Sequence, residues 1–211
     1  ANKNGVYRVV QAVNGKIYTD MDFKAFTFGE TRYINTLIDY PHYARYRNRI
    51  QKLFRSAGNQ LSLYNTLQND GKIRVVPGEG YQVELRVSDL AGNQTQLRIP
   101  VEGKNLPVLV PAELDKTPYY IHADKPGSFD LGRAKVYFPS GSFYEDTYLE
   151  LSADSLLVRL HEPSIPLHRN FTLTFDVSHL SQDARRQYFI ASLDDSDRPE
   201  FQKTYRRGGT F

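Results

Sequence analysis

The sequence predicts an all-β protein: two immunoglobulin-like β-sandwich domains, residues 1–103 and 104–211, the first carrying one inserted amphipathic helix. Three observations lead to it. Val, Ile, Thr and Tyr recur in short runs split by Gly, Pro, Asn and Asp, the composition of half-buried strands. Turn signals fall at intervals of roughly ten residues, which suits a sandwich better than a parallel sheet with its crossover helices. The aromatic load is 15 Tyr and 12 Phe with no Trp. At 211 residues the chain can bury one or two cores.

Taken in order, the run Val6 to Val13 meets Asn14-Gly15 and resumes at Lys16-Ile17-Tyr18, the strongest short-range signal for a two-residue hairpin. From Asp39 the pattern changes. Pro41 follows a possible cap, and Tyr43, Tyr46, Ile50 and Leu53 or Phe54 recur at helical spacing, which predicts a helix from about Pro41 to Phe54 with that stripe facing the core. Strands return at Leu61 to Tyr64, Ile73 to Val76, Tyr81 to Ser88 and Gln94 to Val101, with turns at Asn69-Asp70-Gly71 and Ala91-Gly92-Asn93. Alternation gives Tyr81, Val83, Leu85 and Val87 one face, and Leu97, Ile99 and Val101 one face, each expected to be buried. Gly103-Lys104-Asn105-Leu106-Pro107 reads as a linker. Beyond it, strands are expected at Ala134 to Phe138, Thr147 to Ser152, Ser155 to Leu160, Phe171 to Val177 and Tyr188 to Leu193, with no second strong helix. Arg206 to Phe211 reads as a turn entering a further strand, so the second sandwich is expected to be truncated at its C-terminal end.

Charge and chemistry exclude several classes. A net charge of +3 is too small to act as a whole-molecule field for nucleic acid or anionic lipid, so any such binding is local. No cysteine means no disulfide framework, thiolate nucleophile or thiolate metal site. No apolar run approaches the roughly 20 residues of a membrane span, and Ala1 opens without a leader, so the sequence reads as the mature part of an exported chain. The histidines, His42, His122, His161, His168 and His179, show neither a His-x-His pair nor a His-Glu-x-x-His helix, and no metal site is expected. No Ser lies in a Gly-x-Ser-x-Gly elbow. Asp194, Asp195 and Asp197 are closely spaced enough for a hard cation, but a solvated hairpin tip is the simpler reading. Glu145-Asp146 reads as a turn. No catalytic residue is therefore expected.

One feature remains. Arg45, Arg47, Arg49, Lys52 and Arg55 are interleaved with Tyr40, Tyr43 and Tyr46, and no acid intervenes. Such interleaving can bind nucleic acid or anionic polymers, because guanidiniums pair with phosphates while rings stack on bases or sugars. Helical spacing instead makes the arginines a solvated face, or a docking surface for another domain of the same protein.

Several strings also occur together in order: Phe28-Gly29-Glu30-Thr31-Arg32-Tyr33-Ile34-Asn35, Ile38-Asp39-Tyr40, Arg49-Ile50-Gln51, Val87-Ser88-Asp89-Leu90-Ala91-Gly92-Asn93, and Phe138 to Asp146 with its Pro139, Gly141, Tyr144, Glu145 and Asp146. Together with Pro166-Leu167-His168 and Thr172-Leu173, they resemble the segment downstream of the catalytic domain in secreted Bacteroidetes zinc endopeptidases of the lysostaphin-like, or LytM-like, family. That family holds its zinc with a His and an Asp of one motif and a His of a His-x-His motif, and neither is recognisable here. The resemblance implies a non-catalytic accessory region of a cell-wall (peptidoglycan) metallopeptidase that is periplasmic, cell-envelope or secreted. Zinc is expected only in a peptidase domain outside this sequence. The expected partners are that peptidase domain or peptidoglycan, with no nucleic acid and no membrane span. The alternative is a stand-alone adhesion or carbohydrate-binding module.

Overall fold

The computed structural model describes residues 5–106, 116–154, 157–194 and 196–211. Strands dominate, and all the pairings among named strands are antiparallel, which makes the chain all-β. Two compact units form, Ala1–Glu113 with Pro163–Pro166, and Leu114–Glu162 with Leu167–Phe211. Among the described residues no helix is long and apolar enough to cross a membrane.

In the first unit, β1 (Arg8–Val13) and β2 (Lys16–Asp22) form the expected hairpin. Asn14 and Gly15 both take positive φ, 48° and 79°, the turn whose twist matches that of paired strands. Helical turns follow at Phe28–Tyr33, at α1 (Ile34–Leu37) and at α2 (Tyr40–Tyr46). Three further strands, β3 (Tyr64–Leu67), β4 (Gly80–Ser88) and β5 (Gln94–Glu102), complete one sheet in the order β3-β2-β1-β4-β5. β1 is central, so its run from Val9 to Val13 is buried on both faces.

The core of this unit is Val9 and Met21 on the sheet under Leu37, Leu61 and Leu63, with Phe23, Tyr33, Ile34, Leu53, Tyr64 and Val87 packed around them. What covers β1 to β3, among the described residues, is the irregular segment 28–63 rather than a second sheet. The other half of the sheet is open. Leu97 is 55% exposed and Ile99 is also exposed, so the alternation in β5 marks a face without marking a buried one. Two other expectations change here. Ile73 to Val76 forms no strand, and Leu61 to Tyr64 enters the core before its strand begins at Tyr64. Gly103, read from sequence as linker, is held to the turn before β4: its N–H donates to Glu79 O, its carbonyl accepts from Gly78 N, and a Cβ there would collide with the Val76 carbonyl. Pro107 lies outside the described residues.

A buried polar junction ties segment 28–63 to the sheet. The Thr19 hydroxyl lies 3.1 Å from Gln11 Oε1 and 3.2 Å from Leu53 O. Gly71 closes over it, in a turn where Asn69, Asp70 and Gly71 all take positive φ. A Cβ at Gly71 would meet Leu53 O at 2.5 Å and Thr19 Oγ1 at 2.7 Å. A second staple is Glu30, whose Oε2 accepts from the Thr27 N–H and hydroxyl, both at 2.8 Å, while Oε1 accepts from Ser62 N at 2.7 Å. Those donors, the Thr27 amide first, push its carboxyl from 4.5 down to about 2.

The second unit contains β6 (Tyr119–Ile121), β7 (Gly127–Asp130), β8 (Ala134–Phe138), β9 (Thr147–Leu149), β10 (Leu151–Asp154), β11 (Leu157–Leu160), β12 (Thr172–Phe175), β13 (Ala191–Leu193) and β14 (Pro199–Phe201). β12, β8 and β7 form one sheet; β6 pairs with β9, β10 with β11 and β13 with β14. In β8, Ala134, Val136 and Phe138 point inward and Lys135 and Tyr137 outward. Phe138 meets Phe143 at 5.1 Å and Phe171 at 5.6 Å between ring centroids. The expected strand from Thr147 to Ser152 is broken at Glu150 into β9 and β10. A short helix not expected from sequence, α3 (Gln182–Gln187), starts where the Ser181 hydroxyl accepts from Ala184 N.

Gly71→Ala should cost about 3 kcal/mol or more, because it adds a clash to a left-handed backbone. Gly92→Ala, equally left-handed (φ +87°) but in open space, should cost about 1–2 kcal/mol. Urea denaturation of both variants measures the difference, and equal costs would show that the Gly71 junction tolerates a methyl group. For Glu30, the folded value lies below the unfolded one, so its stabilisation is whole above pH 4.5 and is lost as pH falls towards 2. Acid titration followed by circular dichroism should show a shallower loss in that window for Glu30→Gln than for the wild type; identical curves would contradict the staple.

Candidate functional site

Residues 39–50 form a loop closed at its base. Asp39 N donates to Ile50 O and Lys52 N to Leu37 O, both at 2.8 Å, and Ile38 pairs with Gln51 as an isolated bridge. Gln51 Nε2 lies 3.3 Å from Sδ of the fully buried Met21, which ties the base to the core. Inside the loop, Asp39 caps α2 by accepting from His42 N at 3.1 Å, and Pro41 occupies the first turn. Arg47 ends the helix with φ +56°, its N–H donating to Tyr43 O.

The helix expected from Pro41 to Phe54 is therefore one of seven residues, Tyr40–Tyr46. Continuing it would carry residues 50–52 away from Ile38 and break the bridge, along with the Leu53 and Gln51 contacts beyond it. The stripe expected to face the core does so only at Leu53, which packs against the core cluster: Tyr46 is 58% and Ile50 47% exposed, and Leu37 and Ile38 are buried instead. Ile50→Ala, expected from the stripe to remove a buried side chain, instead truncates a half-exposed one.

The five expected cations separate into two sets. Arg55 is held by Asp70, Nε at 3.0 Å and Nη2 at 2.8 Å from Oδ1. Lys52 Nζ donates to Ser56 Oγ at 3.1 Å and lies 5.8 Å from the Phe54 ring. Arg45, Arg47 and Arg49 are exposed on the loop. The Arg45 guanidinium lies 5.3 Å from the Tyr46 ring centroid and that of Arg49 5.5 Å from Tyr43, while His42 packs against Tyr46 at 4.7 Å. Among the described residues, no carboxylate is within ion-pair distance of Arg45 or Arg49.

A second cluster escaped the sequence reading. Asp146 receives Ala123 N at Oδ1 (2.9 Å) and the Tyr120 hydroxyl at Oδ2 (2.9 Å), with His122 Nδ1 3.0 Å from Oδ2. The Ala123 amide, then Tyr120 and His122, hold its carboxyl below the usual range, and Asp146 in turn raises the Tyr120 hydroxyl. Tyr120 also packs on Tyr148 at 4.8 Å and His122 at 4.9 Å. With Asp124, the ligand atoms of His122 and Asp146 lie within 4.8 Å of one another. All three are exposed, and three donors fall short of the six to eight oxygens a calcium ion takes. Nearby Ser140 donates its hydroxyl to Asp124 O at 2.7 Å. The cluster was illegible because Tyr120, His122 and Ala123 lie 26, 24 and 23 residues from Asp146 in sequence and meet it beside the three-residue strands β6 and β9.

The other histidines stand apart. His161 Nδ1 accepts from Glu150 N, His168 packs edge-on to Tyr144, and His179 lies 3.3 Å from Arg133 Nη1. Asp194 organises the turn between β13 and β14, accepting from Ser196 N, Arg198 N and the Arg198 side chain; Asp195 lies outside the described residues.

Comparison with protein families matches residues 118–210 to the Zu5-like domain. The match covers most of the second unit and less than half of the chain. No curated protein and no solved structure matches.

Closure of the loop is testable by amide hydrogen exchange. The Asp39 and Lys52 amides, which close its base, should exchange far more slowly than those of Asn48 and Arg49 at its tip. Equal rates at all four would mean an open segment.

Proposed function

We propose that this chain is a non-catalytic accessory region that positions an exported cell-wall zinc endopeptidase, acting in the periplasm, the cell envelope or outside the cell. In this reading the second unit is a β-sandwich of immunoglobulin-like kind, and the first unit offers loop 39–50 to the peptidase domain or to peptidoglycan. The observation that carries its non-catalytic part is the engagement of the acids in hydrogen bonds that hold turns and strands together. Asp20, Asp22, Glu30, Asp130, Asp146, Asp176 and Asp194 are all held below their ordinary range. Each is a staple: Asp20 holds Arg8 across β1 and β2, Glu30 joins Thr27 to Ser62, and Asp194 closes a hairpin. A general acid working near neutral pH needs the opposite shift. These carboxylates fit architecture better than proton transfer.

The order of family-like strings through both halves supports the peptidase context, and the exposed cations of loop 39–50 support a binding role. A second reading, a stand-alone carbohydrate-binding module, is favoured by the ring group of Tyr120, His122 and Tyr148 beside Asp146.

Purified sacculi provide the test. The chain should sediment with them and release no soluble fragments, with or without added zinc. Fragment release that a chelator abolishes and zinc restores would overturn the non-catalytic reading. Failure to sediment at low salt, with retention instead by soluble neutral glycans, would favour the carbohydrate-binding module.

A further inference from the structure

In the second unit, α3 and the C-terminal turn line a cleft of about 500 Å³, with Gln182, Arg185 and Arg186 from the helix and Arg206, Gly208 and Phe211 from the turn. Three of the lining residues are arginines and none is a carboxylate.

Local structure gathers them. Arg206 caps the end of α3, its Nε donating to Arg185 O at 3.3 Å and its Nη2 to Tyr188 O, carbonyls that the last turn of a helix leaves unpaired. Arg185 reaches the other way, from Nε to Leu180 O at 2.9 Å, from Nη1 to Gly208 O at 3.2 Å and from Nη2 to Ser178 O at 2.6 Å. The turn itself is fixed beside β12, because Phe175 and Phe211 exchange both main-chain hydrogen bonds at 3.0 Å and Val177 N donates to Gly209 O at 2.8 Å. Both sides of the cleft are braced by main chain.

These bonds position the guanidiniums without neutralising them. A carbonyl is a dipole and offsets only part of a full charge, and among the described residues the three arginines make one ion pair, Arg186 with Asp183 at 3.9 Å, both exposed. Donors also remain. Each guanidinium has about five N–H groups, of which three are used at Arg185 and two at Arg206. The Arg206 guanidinium lies 5.4 Å from the Phe211 ring centroid, a contact that orients it without using a donor.

Like charges that converge with spare donors match an oxyanion, whose oxygens accept from more than one guanidinium at once. Concavity sets the size of the ligand, since clefts of roughly 300–1,000 Å³ hold small molecules. We propose that the cleft between α3 and the C-terminal turn binds a small molecule through an oxyanion group, phosphate or carboxylate, held by Arg185, Arg186 and Arg206. The site belongs to the second unit and does not depend on what loop 39–50 binds.

The probes are inorganic phosphate and acetate, each titrated into the 211-residue chain with ionic strength held constant by sodium chloride. NMR should show saturable shifts at the Nε–H groups of Arg185 and Arg206 and at the Gly208 amide, and sodium chloride alone should produce none. A response to phosphate alone, or to acetate alone, names the group, and a response to both supports the shared chemistry. Arg186→Ala removes an exposed cation that no main-chain carbonyl holds among the described residues, and it should weaken binding about tenfold or more. Arg186→Lys should restore part of the loss. Arg74→Ala, which removes an exposed cation of the first unit, should leave binding unchanged. Where an Arg186 variant lowers the melting temperature, the Nε–H shifts of the unaltered chain decide the matter. The proposal is overturned if neither anion gives saturable shifts at these groups, if chloride shifts them equally, or if a folded Arg186→Ala binds both anions as tightly as the unaltered chain.

Discussion

The close approach of Gly71 to Thr19 and Leu53 is the constraint on which the first unit depends. Thr19 sits fully buried between Gln11 and a main-chain carbonyl, and a hydroxyl there is tolerable because its one proton has an acceptor oxygen to go to, Gln11 Oε1 or Leu53 O. The carbonyl belongs to Leu53, two residues past the bridge that closes loop 39–50. Asp70, next to the glycine, takes the Arg55 amide on its carbonyl and the Arg55 side chain on its carboxylate. One crowded point therefore fixes Leu53 of the covering segment, the last cation of the basic run and the turn that follows β3. Because no side chain fits at Gly71, these parts move together or not at all.

The sequence is most legible where a residue type and a backbone state coincide. Asn14-Gly15 and Asn69-Asp70-Gly71 take left-handed conformations as their types suggest, and β4 and β5 pair in register along their whole length. The periodic stripe from Tyr43 to Phe54 misleads because tyrosines count as apolar in a pattern yet are stable at a surface with their hydroxyls in water. Local spacing contains nothing of the bridge from Ile38 to Gln51, a contact that outweighs two more turns of helix. The cap at Asp39 was readable. The stop at Arg47 was not, since an arginine in the left-handed region leaves no compositional mark.

The candidate site shows the same division. The cations and rings of loop 39–50 are legible because they are neighbours in sequence, although their arrangement follows from a loop and not from a helix face. The Tyr120, His122 and Asp146 cluster needs two short strands to meet, and each strand is too brief to announce itself. The two kinds of charge also behave differently. Carboxylates are drawn into turns, where backbone N–H groups donate to them, whereas Arg45 and Arg49 have ring faces beside them.

The exposed apolar face of β5 has a consequence for crowding. A nine-residue strand at the margin of a sheet, with Leu97 and Ile99 uncovered, is a template on which another chain could polymerise. Pro100 lies in its C-terminal half, paired with Gln82 on the inner side, and has no N–H to offer outward. A strand laid against this margin meets a missing rung there, so the ladder cannot propagate through it. That single imino acid makes the margin a poorer template for fibre growth.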